Sequence, residues 1–279
     1  MDVAERIRAE GPNLTAAERR VAAVILDSPQ SVGFGTVADL ARAATVGAAS
    51  VVRLANKLGF DGYTDLQQSV QSELSAQLRP AAERIHEGTK GSVATHATAE
   101  LDNVRTTLGA VDDHTLDVVV ARLADLDRSV LIVSGDASNG VAAQFAHQLE
   151  QLRPDVELLG GSPVNVGGRI AVADPSTTAL VIDLRRYEQW VLDAQSALLD
   201  RGVWTVALTD SVLSPIAQRA DATFLVTARA VGPFDSHVGT LALLNLLANG
   251  AATELRTSAA DRLAAIEHAW RATGALSEG

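Results

Sequence analysis

Four side chains between residues 48 and 58, Ala49, Ser50, Arg53 and Lys57, fall at i, i+1, i+4 and i+8. On a helix they share one face, small toward the N-terminal end and basic further along. Small residues let a helix end approach base edges, and Arg and Lys reach guanine or phosphate. Val51, Leu54 and Leu58, at i, i+3 and i+7, mark the opposite face as buried. Arg19, Arg20 and Arg42 are available for further phosphate contacts. The chemistry suggested is docking on double-stranded DNA; the same spacing also suits a solvated face on an ordinary helical bundle.

Other chemistries are excluded or poorly supported. The chain has no cysteine, which removes disulfide frameworks, thiolate zinc sites and Cys nucleophiles. His86, His96, His114, His147 and His268 show no metal-ligand spacing. Gly160-Gly161 and Gly167-Gly168 do not build the phosphate-binding turn of a dinucleotide site. No cofactor and no metal is expected.

The N-terminal stretch reads as short helices. Thr15-Ala-Ala-Glu18 is a capping box that opens a helix with Val21, Val24 and Ile25 inward, stopped by Pro29. Thr36 caps a second helix through Ala44, with Val37, Leu40 and Ala41 inward. Thr45-Val46-Gly47 is a tight connector to the helix at 48–58, Gly59 ends that helix, and another starts near Thr64 after Gly62. Two helices joined by a tight Gly-containing turn are the pattern of a helix-turn-helix.

Residues 79–110 are polar, hold Pro80, Gly88 and Gly91, and read as a linker into a helix around 99–108. From residue 128 strands and helices alternate. Apolar runs at 128–134, 156–160, 178–184, 203–209 and 222–228 are strands, with helices at 138–152 and near 188–201. Continuous apolar strands separated by helices imply a parallel sheet covered on both faces. The tail, 237–272, reads as helical with a break at Gly250.

Of 279 residues, 23 are basic and 34 acidic, a formal charge of −11. With 47% hydrophobic residues the chain can build a core, and its length suggests two domains. Residues 1–78 carry a net −2 and residues 79–279 a net −9. Phosphate backbones are repelled by most of such a surface, so DNA contact has to concentrate on one face of the N-terminal part. The opening MDVAERIRAEGPNLTAAERR lacks an apolar signal segment, and no apolar run reaches the ~20 residues of a spanning helix. The expected setting is cytoplasmic, without a membrane partner.

The runs LTAAERRVAAVILDSPQSV and VADLARAATVGAASVVRLANKLGFDGYTDLQ resemble the N-terminal domain of the MurR/RpiR family of bacterial transcription regulators. Gly47 departs from the Ser usual there, and Gly caps a helix only a few tenths of a kcal/mol worse. The resemblance implies an α/β protein: an all-α helix-turn-helix domain at 1–78, a connecting segment at 79–110, and a five-stranded parallel sugar isomerase (SIS) sandwich of flavodoxin-like type at 111–279. It implies a homodimer or higher homo-oligomer, operator DNA, and a phosphosugar or other anionic effector. The binding loops depart from the family's. Ser134-Gly135-Asp136-Ala137-Ser138 stands where a G-x-G-x-S turn is usual, and Asp183-Leu184-Arg185-Arg186-Tyr187 replaces a Ser/Thr-rich phosphate cradle. Arg185 and Arg186 suit an anion, a carboxylate, or salt bridges to Asp136 and Asp183, so a non-phosphorylated effector or a purely structural domain stands as the alternative to an anionic effector. Thr209-Asp210-Ser211 and Ser214-Pro215-Ile216-Ala217 keep family signatures, and Phe234-Asp235-Ser236-His237 opens the last helix. The resemblance thus assigns effector contacts to Asp136, Ser138, Arg185, Arg186, Tyr187, Asp210, Ser236 and His237. SIS folds also include aldose–ketose isomerases, for which His237 and Asp235 are the nearby candidate bases. The attached helix-turn-helix favours a regulator over an enzyme.

Overall fold

The computed structural model describes residues 3–27, 32–33, 35–78, 81–85, 91–212 and 214–275. Pro29, expected to stop the helix opened at Thr15, and Pro80 and Gly88, expected in the linker, lie outside these residues. The chain divides into two compact units, residues 1–86 with 211–213, and residues 87–210 with 214–279.

In the first unit α1 (Val3–Glu10), α2 (Ala16–Asp27), α3 (Val37–Ala43), α4 (Ala48–Lys57) and α5 (Tyr63–Leu78) surround one apolar core, followed by the single turn α6 (Ala81–Arg84). Both expected caps form. Thr15 N–H donates to Glu18 Oε2 at 2.8 Å while Glu18 N–H donates back to Thr15 Oγ1, and Thr36 and Asp39 repeat the exchange on α3. Each such cap is worth about 1 kcal/mol. Val21, Ile25, Leu40, Val51, Leu54 and Leu66 are fully buried between the helices.

The connector between α3 and α4 departs from expectation in one respect. Its left-handed residue is Thr45 (φ 54), whereas Gly47 is extended at φ −80. Thr45 N–H bonds Arg42 O and Val46 N–H bonds Ala41 O, the paired closure that needs its first residue left-handed. A β-branched residue there is strained, so the turn is held by the packing of the helices it joins. Gly59 (φ 85) closes α4 by the same pair of bonds without that cost.

The second unit opens with α7 (Val93–Gly109) and α8 (Asp113–Ala124). The helix expected around 99–108 starts earlier because Ser92 Oγ accepts from Thr95 N–H at 3.1 Å. It is built into this unit. Asn103, fully buried, donates to Arg229 O (2.7 Å) and accepts from Arg229 N–H (3.0 Å), while Thr107 Oγ1 accepts from Thr227 N–H.

Five parallel strands follow in the order β2-β1-β3-β4-β5: β1 (Val130–Ser134), β2 (Val156–Leu158), β3 (Thr178–Ile182), β4 (Trp204–Thr209) and β5 (Ala222–Leu225). Between them run α9 (Asn139–Leu152), α10 (Pro163–Val172) and α11 (Gln189–Leu199), and α12 (Val238–Thr273) ends the fold. Alternate strand residues feed two cores, as a period of two requires. Val130, Ile132, Leu180, Ile182, Val206 and Leu208 join the core that includes α8, α9 and α12 residues. Leu131, Val133, Ala179, Val181 and Ala207 join the one that includes α10 and α11 residues.

Gly250 does not break the last helix. A Cβ there would lie 2.6 Å from Val120 Cγ2, so the glycine lets α8 and α12 approach closely. The break falls at Arg256, whose φ and ψ are 25° and −88°. Among the described residues no helix is long and apolar enough to cross a membrane.

Candidate functional site

The first candidate surface is the outer face of α4. Ala49 and Arg53 are exposed there, and so are Ala48, Val52 and Asn56. Ser50 is buried and accepts from Arg53 Nη2 at 2.8 Å, steadying the guanidinium that stands one turn on. Lys57 reaches across to α2, bonding Asn13 O at 2.7 Å and Glu18 Oε2 at 3.1 Å. Its charge is therefore shared with Glu18, whose carboxyl is held below its ordinary range by the Thr15 amide first and by Lys57 in addition. Arg19, Arg20 and Arg42 are exposed, with Arg42 on Asp39 at 2.8 Å. Gly47 provides no side-chain cap, so the first-turn amides of α4 face outward uncovered by one.

The second candidate lies at the carboxyl ends of the strands. In a sheet of this order ligands bind where the connections from β1 and β3 diverge. That point is filled by the protein's own carboxylates. Asp183, 4% exposed, accepts from Leu184 N–H (3.0 Å) and Glu188 N–H (2.7 Å). Glu188 accepts from Asp136 N–H (2.5 Å) and, through its other oxygen, from Trp190 Nε1 (2.7 Å). Gly135 lies flat against both groups, since a Cβ there would sit 2.5 Å from Asp183 Oδ1 and 2.9 Å from Glu188 Oε1.

The remaining expected effector residues are spread around this point. Arg185 forks onto Asp235, with Nε at 2.9 and 3.0 Å from the two oxygens and Nη2 closer still. Its partner is thus neither Asp136 nor Asp183. Arg186 is exposed with φ 67, a strained conformation for a side chain of its size. Tyr187 donates to Asp210 Oδ1 at 2.9 Å, and burial pushes the ionisations of both upward. Ser236 donates to Glu100 on α7 and accepts from Val238 N–H. His237 is half-buried at the start of α12, its pKa lowered by that burial, with Nδ1 unpartnered. Ser138 is buried with its hydroxyl unpartnered.

Burial raises Asp183 to about 7, and repulsion from Glu188 and Asp210 adds to it against the pull of two amides. The folded chain therefore keeps a proton between about pH 4 and pH 7 that the unfolded chain has released. Stability falls as pH rises through that window, and the whole cost is present above it. Between about pH 5.5 and pH 8 this group alone is expected to remove about 2 kcal/mol of unfolding free energy. Denaturation of Asp183→Asn at the two pH values should show a flatter dependence than the wild type; an equal slope would assign the proton elsewhere.

Beside the filled point opens a cleft of about 510 Å³ between α10 and α11, with the end of β1 on its wall. Ser134, Asp136, Asn139, Trp190 and Asp193 supply its polar and aromatic lining, and Leu159, Val166 and Ile170 its apolar part. Of the expected effector residues, Asp136 is the one that lines it.

Comparison with known proteins agrees with this layout. The family model for the helix-turn-helix domain of the rpiR family matches residues 1–77, and the SIS domain model matches residues 123–250. The chain thus carries an rpiR-family helix-turn-helix domain followed by a SIS domain. It is 26% identical over 222 residues to an HTH-type transcriptional regulator of Haemophilus influenzae, covering 75% of this chain and 74% of that protein. It is 31% identical over 148 residues to the bifunctional protein glk of Paraburkholderia xenovorans; that match spans 52% of this chain but only 23% of the relative's length. The sugar isomerase domain of an RpiR transcription factor from Sphaerobacter thermophilus superposes with a TM-score of 0.58 at 28% identity, over 63% of this chain and 97% of that one. The NanR protein of Vibrio vulnificus, solved with ManNAc-6P, shares the fold over 98% of this chain and 99% of its own, with a TM-score of 0.57 at 21% identity.

Within this chain, sequence reasoning passed over Val52 and Asn56 on the outer face of α4, although each sits four residues from an exposed neighbour. It also passed over Glu188, Trp190 and Asp193. Glu188 has no local signature for its role, because the amide it accepts from lies on Asp136, 52 residues away.

Proposed function

We propose that the chain is a ligand-responsive transcriptional regulator. α4 enters the major groove as one of a pair of recognition helices in a homodimer on a two-fold operator, and a small sugar-related metabolite bound at the carboxyl ends of the sheet sets operator affinity. The observation that carries the DNA reading is the outer edge of α4: an N-terminus without a side-chain cap, small Ala48 and Ala49, and Arg53 braced by Ser50. First-turn amides without a side-chain cap suit a phosphate, and a braced Arg suits guanine. The sensor reading draws on the SIS fold and on NanR, which shares that fold and was solved with ManNAc-6P.

The isomerase reading is weaker on chemical grounds. Asp235 is bonded by Arg185, and among the described residues no carboxylate orients His237. A general base gains from a partner that sets its tautomer and favours its protonated form, whereas burial lowers the pKa of His237.

The test is fluorescence anisotropy on the DNA upstream of the protein's own gene. Arg53→Ala removes a contact worth about 1–3 kcal/mol per half-site, so a dimer is expected to bind about 30-fold more weakly or worse. Unchanged affinity in a folded Arg53→Ala protein would remove α4 as the reading helix.

A further inference from the structure

The place where a phosphate would sit in a sheet of this order is closed from within. Three amides, of Asp136, Leu184 and Glu188, face the junction of the β1 and β3 loops, and all three already donate to the carboxylates of Glu188 and Asp183. Gly135 leaves room for those carboxylates and little else. Arg185, the nearest guanidinium in sequence, is forked onto Asp235. An incoming dianion would have to displace two carboxyl groups from their donors and meet negative charge at short range.

The neighbouring cleft has the opposite character. No Lys or Arg lines it. Asp136 and Asp193 do, and the Asp136 carboxylate has no hydrogen bond or ion pair among the described residues. Asp193 takes one hydrogen bond, from the Gln189 amide at 2.8 Å, leaving acceptor capacity over. Trp190 presents its ring to the cleft while its N–H is tied to Glu188, which fixes the indole in place. An independent sign of a missing partner comes from the end of β1. Ser134 is 4% exposed and its hydroxyl has no hydrogen-bond partner among the described residues; five other buried hydroxyls share that state, and Ser134 is the one of the six that lines the cleft. Buried hydroxyls in folded proteins are otherwise nearly always paired.

We propose that this cleft is the effector site, and that it takes a small hydroxylated amine in its protonated form rather than a phosphorylated sugar. The ammonium is held by Asp136 and Asp193 and lies against the Trp190 ring, the arrangement that attracts cations. Ser134 and Asn139 bond the hydroxyls. The apolar wall of Leu159, Val166 and Ile170 packs on the carbon skeleton. The proposal rests on the reading of the C-terminal unit as a sensor and deepens it.

Thermal shift and calorimetric titration of the full-length protein test it with glucosamine, glucose, glucose 6-phosphate, glucosamine 6-phosphate and inorganic phosphate. Glucosamine should stabilise the protein more than glucose, and each phosphorylated probe should act more weakly than its parent. Asp136→Asn and Asp193→Asn should each weaken glucosamine about tenfold or more while leaving the unliganded melting temperature close to wild type. Trp190→Leu should weaken it as well. A phosphorylated probe that binds more tightly than its parent overturns the amine class. So does glucosamine binding that is indifferent to both Asn variants, and so does the absence of binding by glucosamine. Glucose 6-phosphate binding that is lost in Arg186→Ala would overturn this site while leaving the sensor reading intact. The regulator reading is decided separately, by operator binding of the unliganded protein.

Discussion

Arg153→Ala is expected to destabilise the C-terminal unit by about 3–5 kcal/mol. Arg153 is fully buried at the end of α9. Its guanidinium donates to Leu123 O (2.6 Å), Asp125 O (2.9 Å) and Pro154 O (3.0 Å), and to Arg128 O. Those carbonyls belong to the last turn of α8, the lead into β1 and the turn after α9. One side chain thus supplies the donors for chain ends that no helix or strand bonding can reach. Alanine would leave the carbonyls buried without donors and open a cavity besides. Burial pushes the ionisation of Arg153 down, against the pull of Asp155 and Asp125, but a guanidinium stays charged throughout the working range. Chemical denaturation followed through the C-terminal transition measures the loss. Arg153→Met, which refills the space without the donors, should recover only part of it. A loss below about 1 kcal/mol in the Ala variant would mean that water replaces the donors.

Arg185→Ala should also cost stability, about 2–3 kcal/mol, whether or not an effector is present. Its side chain is 25% exposed and that of Asp235 is 14% exposed, so removing the cation takes a two-pronged donor from a carboxylate that is largely out of water. Burial alone would weaken Arg185 as a cation; the Asp235 bonds outweigh it and hold its proton more firmly. Asp235→Ala should be costly for the complementary reason. The double variant should then be less destabilised than the sum of the two, by an amount that reports the pairing. Additive losses would return Arg185 to the set of residues free to meet a ligand. This cycle distinguishes the two uses the sequence allowed for that arginine.

The sheet was readable because parallel strands buried on both faces leave little choice of residue. VLIVS, TALVI and WTVALT are apolar whichever way they point. α10 was less visible. Its sequence PVNVGGRIAV holds a proline, two glycines and β-branched residues, and the start signals are the Ser162 hydroxyl, which accepts from Asn165 N–H, and the proline in the first turn. α8 was hidden by its Val-Val-Val run, which reads as strand until the Asp112 cap on Thr115 is noticed. Gly250 looked like a break because a glycine within a helix has two uses, and only the position of Val120 distinguishes them. The amphipathic helix α4 was legible since its two faces follow from spacing within ten residues. The filling of the strand-end loops was not, because it depends on Glu188 meeting Asp136 and on Arg185 meeting Asp235, pairs set by the path of the chain.

The carboxylates packed against Gly135 bear on what the molecule must ignore. Phosphate and phosphorylated metabolites are common solutes in any cell. A receptor whose amides stood open to them would register that background whatever its intended signal. With Asp183 and Glu188 already seated, a phosphate must first evict a competitor that is tethered to the same chain and never diffuses away. In the proposed sensor, tethered occupancy of this kind would act as a noise filter: it would raise the threshold for every freely dissolved anion at once and leave the cleft next door to answer to its own signal.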